Sequence, residues 1–500
     1  MQKAQSKSIY LIGAVLLSFL FFRGRLGSDD IEVYNFVKYF ISSDLNLKDF
    51  IATITYDNYT LKENLQNIST STWSHRFVWI IQTYIITKVI FIFGIFFDFN
   101  KEFLSQYFSG YILTFYSFFA FLIILFDLQR RQKIYYSFFL TSIIFFGTGL
   151  ISFFTGSYIE SLILLLFVMR QVTKNYKKIF IYDLIIILIK PYYFIYLIFL
   201  YFVNNKSFWK NTQILALLLL GYFLVKIYID TFSSTENVSL LLSFMPNFDF
   251  YFIIKNLFSF YFSLGMGIFF TSTVLIILII FGYSKKTILK IFGLFFLSIF
   301  LCLWEGFHGF APGGRYFLPL IVTFLPEIDS GLNKIIRNIN KYQFKIILNI
   351  LFFLLILNLP TLEYRNTNLV SYINNTVNKN TSNTFLIFED NKLKLLNTPI
   401  QSIAYNHMVF SNKVIINKLI KNSQITINNN NINLNNIYPM TGIGRLIFIS
   451  NQNIDLYGNN LKKFSDSFKL IFKIIYFLIS VIFLIFIFLS YFNLKKVKPE

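Results

Sequence analysis

The chain has 500 residues, 55% of them hydrophobic and only 14% charged, with 66 Phe and a formal net charge of +21. A soluble domain carries roughly 25% charged residues, so composition argues against that class, and continuous apolar runs without apolar–polar alternation argue against a β-barrel. The basic residues cluster in short loops, as orientation in a bilayer demands, so the charge points to a membrane and not to a nucleic-acid partner.

The expected fold is an all-α polytopic membrane protein of roughly 11–13 transmembrane helices, because apolar runs recur from Ser8 to Phe492. Lys3 and Lys7 precede the apolar stretch Ser8 to Phe22 and place the N-terminus in the cytoplasm. Bulky Phe21, Phe22 and Arg23 stand where small cleavage-site residues belong, which predicts an uncleaved first span. Residues 23–76 then form an acid-rich external loop. A carboxylate is costly in hydrocarbon, so Asp29 and Asp30 mark the membrane–water boundary. At that place an acid pair suits a general base or a ligand of a divalent metal ion, Mg2+ or Mn2+. Ile31, Tyr34, Val37 and Phe40 fit an amphipathic helix lying at the interface, and the loop closes on Trp73-Ser-His75-Arg76.

Two apolar segments follow, Phe77 to Phe97 and Phe103 to Phe126. The basic loop Arg130 to Lys133 leaves open whether residues 77–126 cross the membrane once or twice. Segments Ile134 to Phe154 and Ile159 to Met169 flank a short turn with Glu160 just inside it. Residues 179–203 have lysines on both flanks, which predicts a short hairpin turning at Lys190-Pro191, where proline supplies no N–H; a single crossing with Lys190 buried is the alternative. Spans are expected at Ile214 to Ile229, Gly267 to Tyr283, Ile288 to Trp304, Tyr316 to Pro326, Ile346 to Leu359 and Leu470 to Phe492, with an interfacial stretch at Phe250 to Phe262. The domain reading is therefore a membrane module at 1–360, a polar Asn-rich external region at 361–468, and a last helix with a cytoplasmic tail at 469–500. The external region, α/β or irregular, has candidate strands at Thr384 to Phe388 and Arg445 to Ser450 and a low-complexity middle through Asn428 to Asn431.

In this topology Asp29, Asp30, His75, Arg76, Glu160, His308 and Arg315 lie at the external face, joined by Lys190 if it turns a hairpin. Acidic, imidazole and cationic groups at one depth suit transfer from a lipid phosphate. Cations neutralise the leaving phosphate while a carboxylate deprotonates the acceptor. Gly313-Gly314 lets the backbone turn tightly before Arg315, whose planar guanidinium grips phosphate oxygens in pairs.

On these residues the chain resembles a bacterial membrane glycosyltransferase of the GT-C superfamily, the polyprenyl-phosphate-sugar-dependent transferases with protein mannosyltransferase and aminoarabinose transferase members. Asp29-Asp30 occupy the place of the family's acid pair in the first external loop. Lys190-Pro191 resembles its lysine at a helical break, and Gly314-Arg315-Tyr316-Phe317-Leu318-Pro319 a stretch that opens a late span. The likeness runs from Ser8 to Leu359 and departs from the family at Trp73 to Arg76, where a His-Pro-Pro is common. It implies that Asp29 or Asp30 is the base or a metal ligand and that Arg315 and Lys190 hold the lipid phosphate. His308, His75, Arg76 and Glu160 complete the substrate site. The expected activity is sugar transfer from a polyprenyl phosphate or pyrophosphate to an envelope glycan, lipid or protein at the non-cytoplasmic face of a bacterial inner membrane. An O-antigen-type polymerase and a flippase of lipid-linked saccharides are the alternative readings; the acids of the first loop favour the transferase.

Overall fold

The apolar runs become helices whose ends are set by local chemistry. A computed structural model describes residues 77–96, 101–155, 159–203, 208–233, 248–262, 268–303, 314–338, 341–358, 385–389, 392–396, 425–427, 430–432 and 485–495, together with residues 13, 15, 33, 34, 37, 38, 41, 478 and 482. The helices of the first half are α1 (Phe77–Phe96), α2 (Lys101–Gln129), α3 (Ile134–Phe146), α4 (Ser152–Thr155), α5 (Glu160–Val172), α6 (Tyr176–Ile189) and α7 (Tyr193–Val203). They continue with α8 (Phe208–Ser233), α9 (Phe250–Phe262), α10 (Ile268–Thr271), α11 (Thr273–Phe281), α12 (Lys285–Leu301), α13 (Leu325–Asn338), α14 (Lys341–Asn358) and α15 (Ile485–Lys495). The Asn175 side chain starts α6 by accepting from the backbone N–H groups of Lys177 and Lys178, and a capping box between Ser284 and Thr287 starts α12.

Several expected spans are broken for identifiable reasons. The run Ile134 to Phe154 stops at Gly147, whose N–H caps the carbonyls of Ser142 and Ile143, and resumes as the 3-10 turn Gly149–Ile151 and α4. The run Gly267 to Tyr283 is interrupted at Ser272. Tyr316 to Pro326 is not an α-helix: Leu318–Phe324 is a 3-10 segment with Pro319 in its first turn, and it leads into α13. Among the described residues one helix, over Phe108–Gln129, is long and apolar enough to cross a membrane by length and composition, while Ile134–Phe146 and Tyr193–Val203 are shorter apolar helices. The first-loop helix also differs from expectation. Val33, Val37 and Ile41 form its buried stripe, and the Tyr34 hydroxyl bonds Ser105, so that face packs into the bundle core.

Helices α2 and α5 form the centre, with α6 and the 3-10 segment against α5, α1 and α3 against α2, and α7 laid along α12. The late helix α15 returns to this bundle: Tyr491 stacks on Phe352 of α14 at 4.2 Å and donates to Asn349, and Phe486 meets Phe138 of α3. Outside residues 385–432 every regular element among the described residues is helical. Within them, Phe385–Glu389 pairs antiparallel with Lys392–Leu396, which places the first expected strand one residue later. Ile425–Ile427 pairs with Asn430–Ile432, so the low-complexity stretch contains a hairpin whose two-residue connection is Asn-Asn. The candidate strand Arg445 to Ser450 lies outside the described residues.

Helices α11 and α13 meet at Gly282 and Gly331. A Cβ on Gly331 would stand 1.9 Å from the carbonyl oxygen of Leu278, and one on Gly282 would stand 1.8 Å from that of Glu327. Small residues at such a crossing let two backbones touch. Gly331→Ala must push the helices apart and is expected to cost about 1–3 kcal/mol, the range of overpacked sites. Thermal unfolding of the purified chain in detergent checks this, and an unchanged midpoint would mean that the crossing is looser than described.

Charges are buried inside this bundle. Arg170 Nε bonds Asp183 Oδ1 at 2.8 Å, and Lys290 Nζ bonds both oxygens of Glu327 and the Thr323 carbonyl at 2.8 Å. The Tyr196–Thr323 hydrogen bond lies between the two pairs.

Candidate functional site

Two helix ends and one glycine turn build the site. Glu160 is the first residue of α5, where the exposed N–H groups favour a carboxylate. Lys190 is the C-cap of α6, where free carbonyls favour a cation, and Pro191 forbids continuation of the helix. Gly314 has a φ of +70°, and a side chain there would press on the Phe260 ring at 2.8 Å. The turn it allows sends Arg315 back towards α5.

The chain reverses at Lys190. Arg170, near the far end of α5, bonds Asp183 of α6 and lies 5.7 Å from the centre of the Tyr201 ring of α7. Helices α6 and α7 are thus the two arms of a hairpin, and its turn stands beside Glu160. The flanking lysines led to this expectation. They did not reveal that Lys190 would be buried, with 8% of its surface exposed.

The site is a shared carboxylate. Glu160, 1% exposed, places Oε1 3.7 Å from Lys190 Nζ and 3.5 Å from Arg315 Nε. These contacts are open compared with the 2.8 Å pairs of Arg170–Asp183 and Lys290–Glu327. Arg170–Asp183 and Lys290–Glu327 are in direct hydrogen-bond contact, whereas Lys190 and Arg315 both approach the same Glu160 oxygen at a longer distance.

Aromatic rings close the cluster. Tyr316 lies against both cations, Tyr192 meets its ring edge-on, and the Tyr193 hydroxyl donates to the Tyr316 carbonyl at 2.5 Å. Sequence reasoning missed these tyrosines; the available signal was that each cation has an aromatic residue within two positions. It also missed the Arg170–Asp183 and Lys290–Glu327 pairs, marked by single charges within apolar runs.

Of the expected site residues, Glu160, Lys190 and Arg315 come together. Asp29, Asp30, His75, Arg76 and His308 lie outside the described residues. Among the described residues there is no group of three His, Cys, Asp or Glu able to hold a metal ion. Glu160 faces two cations, so the described part of this cluster does not fit a divalent metal. Comparison of the chain with family models, with curated proteins and with solved structures finds no match.

Proposed function

We propose that the chain is a polytopic membrane glycosyltransferase that takes a sugar from a polyprenyl-phosphate-type donor and transfers it to an envelope acceptor at the non-cytoplasmic face. The observation that carries this reading is the convergence of Lys190 and Arg315 on one buried carboxylate, Glu160. Two neighbouring cations in a partly dry site suit a phosphate oxygen pair, and a phosphate is the leaving group of such a donor. In the transfer, the bond from the sugar's anomeric carbon to the phosphate oxygen breaks while the acceptor oxygen bonds that carbon. Lys190 and Arg315 take up the charge left on the phosphate, Glu160 keeps both cations oriented, and Asp29 or Asp30 accepts the acceptor's proton.

The membrane placement is supported by an inverted distribution of polarity. Leu219, Tyr222 and Phe223 of α8 and Phe292 and Phe296 of α12 are exposed, while ion pairs are buried within. Soluble monomers rarely show so much contiguous apolar surface. The bundle is also polarised end to end. Arg131 pairs with Asp127 and Asp329 at the end away from the cluster, the end where α13 also carries the Lys290–Glu327 pair. The positive-inside rule assigns that end to the cytoplasm.

Two measurements test the reading. Full-length chain in nanodiscs, given undecaprenyl-phosphate-linked mannose or aminoarabinose, should release undecaprenyl phosphate, and Asp29→Asn or Asp30→Asn should slow release by roughly 10²–10⁴ without loss of expression. Reporter fusions should place Arg131 in the cytoplasm and Ile400 outside. Full activity in both Asn variants, or a periplasmic Arg131, would sink the mechanism or the topology respectively.

A further inference from the structure

We infer that Tyr193 is a positioning residue that ties the Arg315 turn to the Lys190 turn. The inference rests on the lipid-phosphate reading for its ligand and deepens it. Pro319 creates the need for such a residue. In the turn that carries Arg315, the Phe317 N–H bonds the Gly314 carbonyl at 2.8 Å, and the Leu320 N–H bonds the Phe317 carbonyl at 2.9 Å. The same series would give the Tyr316 carbonyl the N–H of residue 319, and proline has none. The Tyr193 hydroxyl supplies the missing donor, 2.5 Å from that carbonyl.

Tyr193 is fully buried. A buried carbonyl deprived of its donor is costly, so this hydroxyl decides whether the peptide after Arg315 stays in place. The same residue also faces the other cation: its backbone N–H bonds the Lys190 carbonyl at 3.2 Å. One tyrosine therefore joins the backbone of Lys190 to the peptide that follows Arg315. Phe317 adds a second hold on the turn by packing on the Phe260 ring at 4.1 Å. Tyr196, three residues further along α7, bonds Thr323 near the end of the 3-10 segment and offers a comparison remote from Arg315.

Full-length chain in phosphatidylcholine nanodiscs allows two measurements. Hydrogen exchange of the Phe317 amide, which closes the Gly314 turn, reads the turn without any ligand. Tyr193→Phe should speed it about tenfold, because the stranded carbonyl loosens the turn, while Tyr196→Phe should leave it unchanged. Pro319→Ala returns an N–H to residue 319, so adding it to Tyr193→Phe should restore slow exchange. Should Tyr193→Phe alone fail to fold, the double variant must fold and exchange slowly. No rise in Tyr193→Phe, an equal rise in Tyr196→Phe, or no rescue by Pro319→Ala overturns the inference. Undecaprenyl phosphate binding then tests the link to Arg315. Tyr193→Phe should weaken it about tenfold, and the loss should vanish in the Arg315→Ala background, where Lys190 remains. A loss that persists there overturns the positioning role. A native chain that binds no undecaprenyl phosphate, yet shows the exchange pattern and its rescue, overturns the phosphate reading and leaves the role of Tyr193 standing.

Discussion

Arg315→Ala should reduce sugar transfer by about 10²–10³, the loss seen when one preorganised donor to a developing oxyanion is removed. The guanidinium stands at a buried cluster, beside a carboxylate that is 1% exposed, where water cannot replace it. Arg315→Lys keeps the charge and loses the planar fork, so it should recover only part of the activity. Lys190→Ala should raise the apparent donor requirement by less, because an ammonium acts as a point charge. The two alanine changes together should fall short of additive, since both cations approach the same Glu160 oxygen. Initial rates at varied donor concentration read all four variants. Strict additivity with an unmoved donor KM would separate the residues and remove the shared phosphate site.

Lys290→Met should destabilise the chain by about 3–5 kcal/mol, because it strands the Glu327 carboxylate in the bundle. That carboxylate receives both of its close contacts from Lys290 Nζ, at 2.8 Å, and Glu327 is 4% exposed. Lys290→Met with Glu327→Leu should recover most of the loss, since an apolar pair of similar volume avoids the desolvation of two charges. Thermal unfolding in detergent distinguishes the cases. A single variant as stable as the native chain would mean that water reaches Glu327. On the proposed reading the Glu160 cluster contrasts with this pair: losing the Lys290–Glu327 pair should unfold the protein, while losing Lys190 or Arg315 should lower turnover.

The sequence was legible wherever local chemistry decides. Helix positions followed the apolar runs, and the Lys190 turn followed from a proline with lysines on both sides. The first strand of 385–432 was visible as a short apolar run, Phe385–Glu389. Its partners were not, because pairing is decided by register across the turn. Periodicity failed where a run contained a break of its own. Gly147 and Ser272 interrupt helices that hydropathy reads as continuous, and Leu318–Phe324 is a 3-10 segment where a span was expected. Hydropathy averages over such residues, whereas the backbone must satisfy each hydrogen bond.

The sequence by itself determined the helical class of the module and offered the reversal at Lys190 as one of two readings. Those properties depend on composition and on a proline. Only the tertiary structure decided which charges meet. Glu160, Lys190 and Arg315 are brought together by an antiparallel α5–α6 pair and a left-handed Gly314, while Lys290 meets Glu327 and Arg170 meets Asp183 closer to the other end. No spacing in the chain separates the open cluster from the closed pairs. That difference, contacts of 3.5 and 3.7 Å against 2.8 Å, is set by where whole helices come to rest.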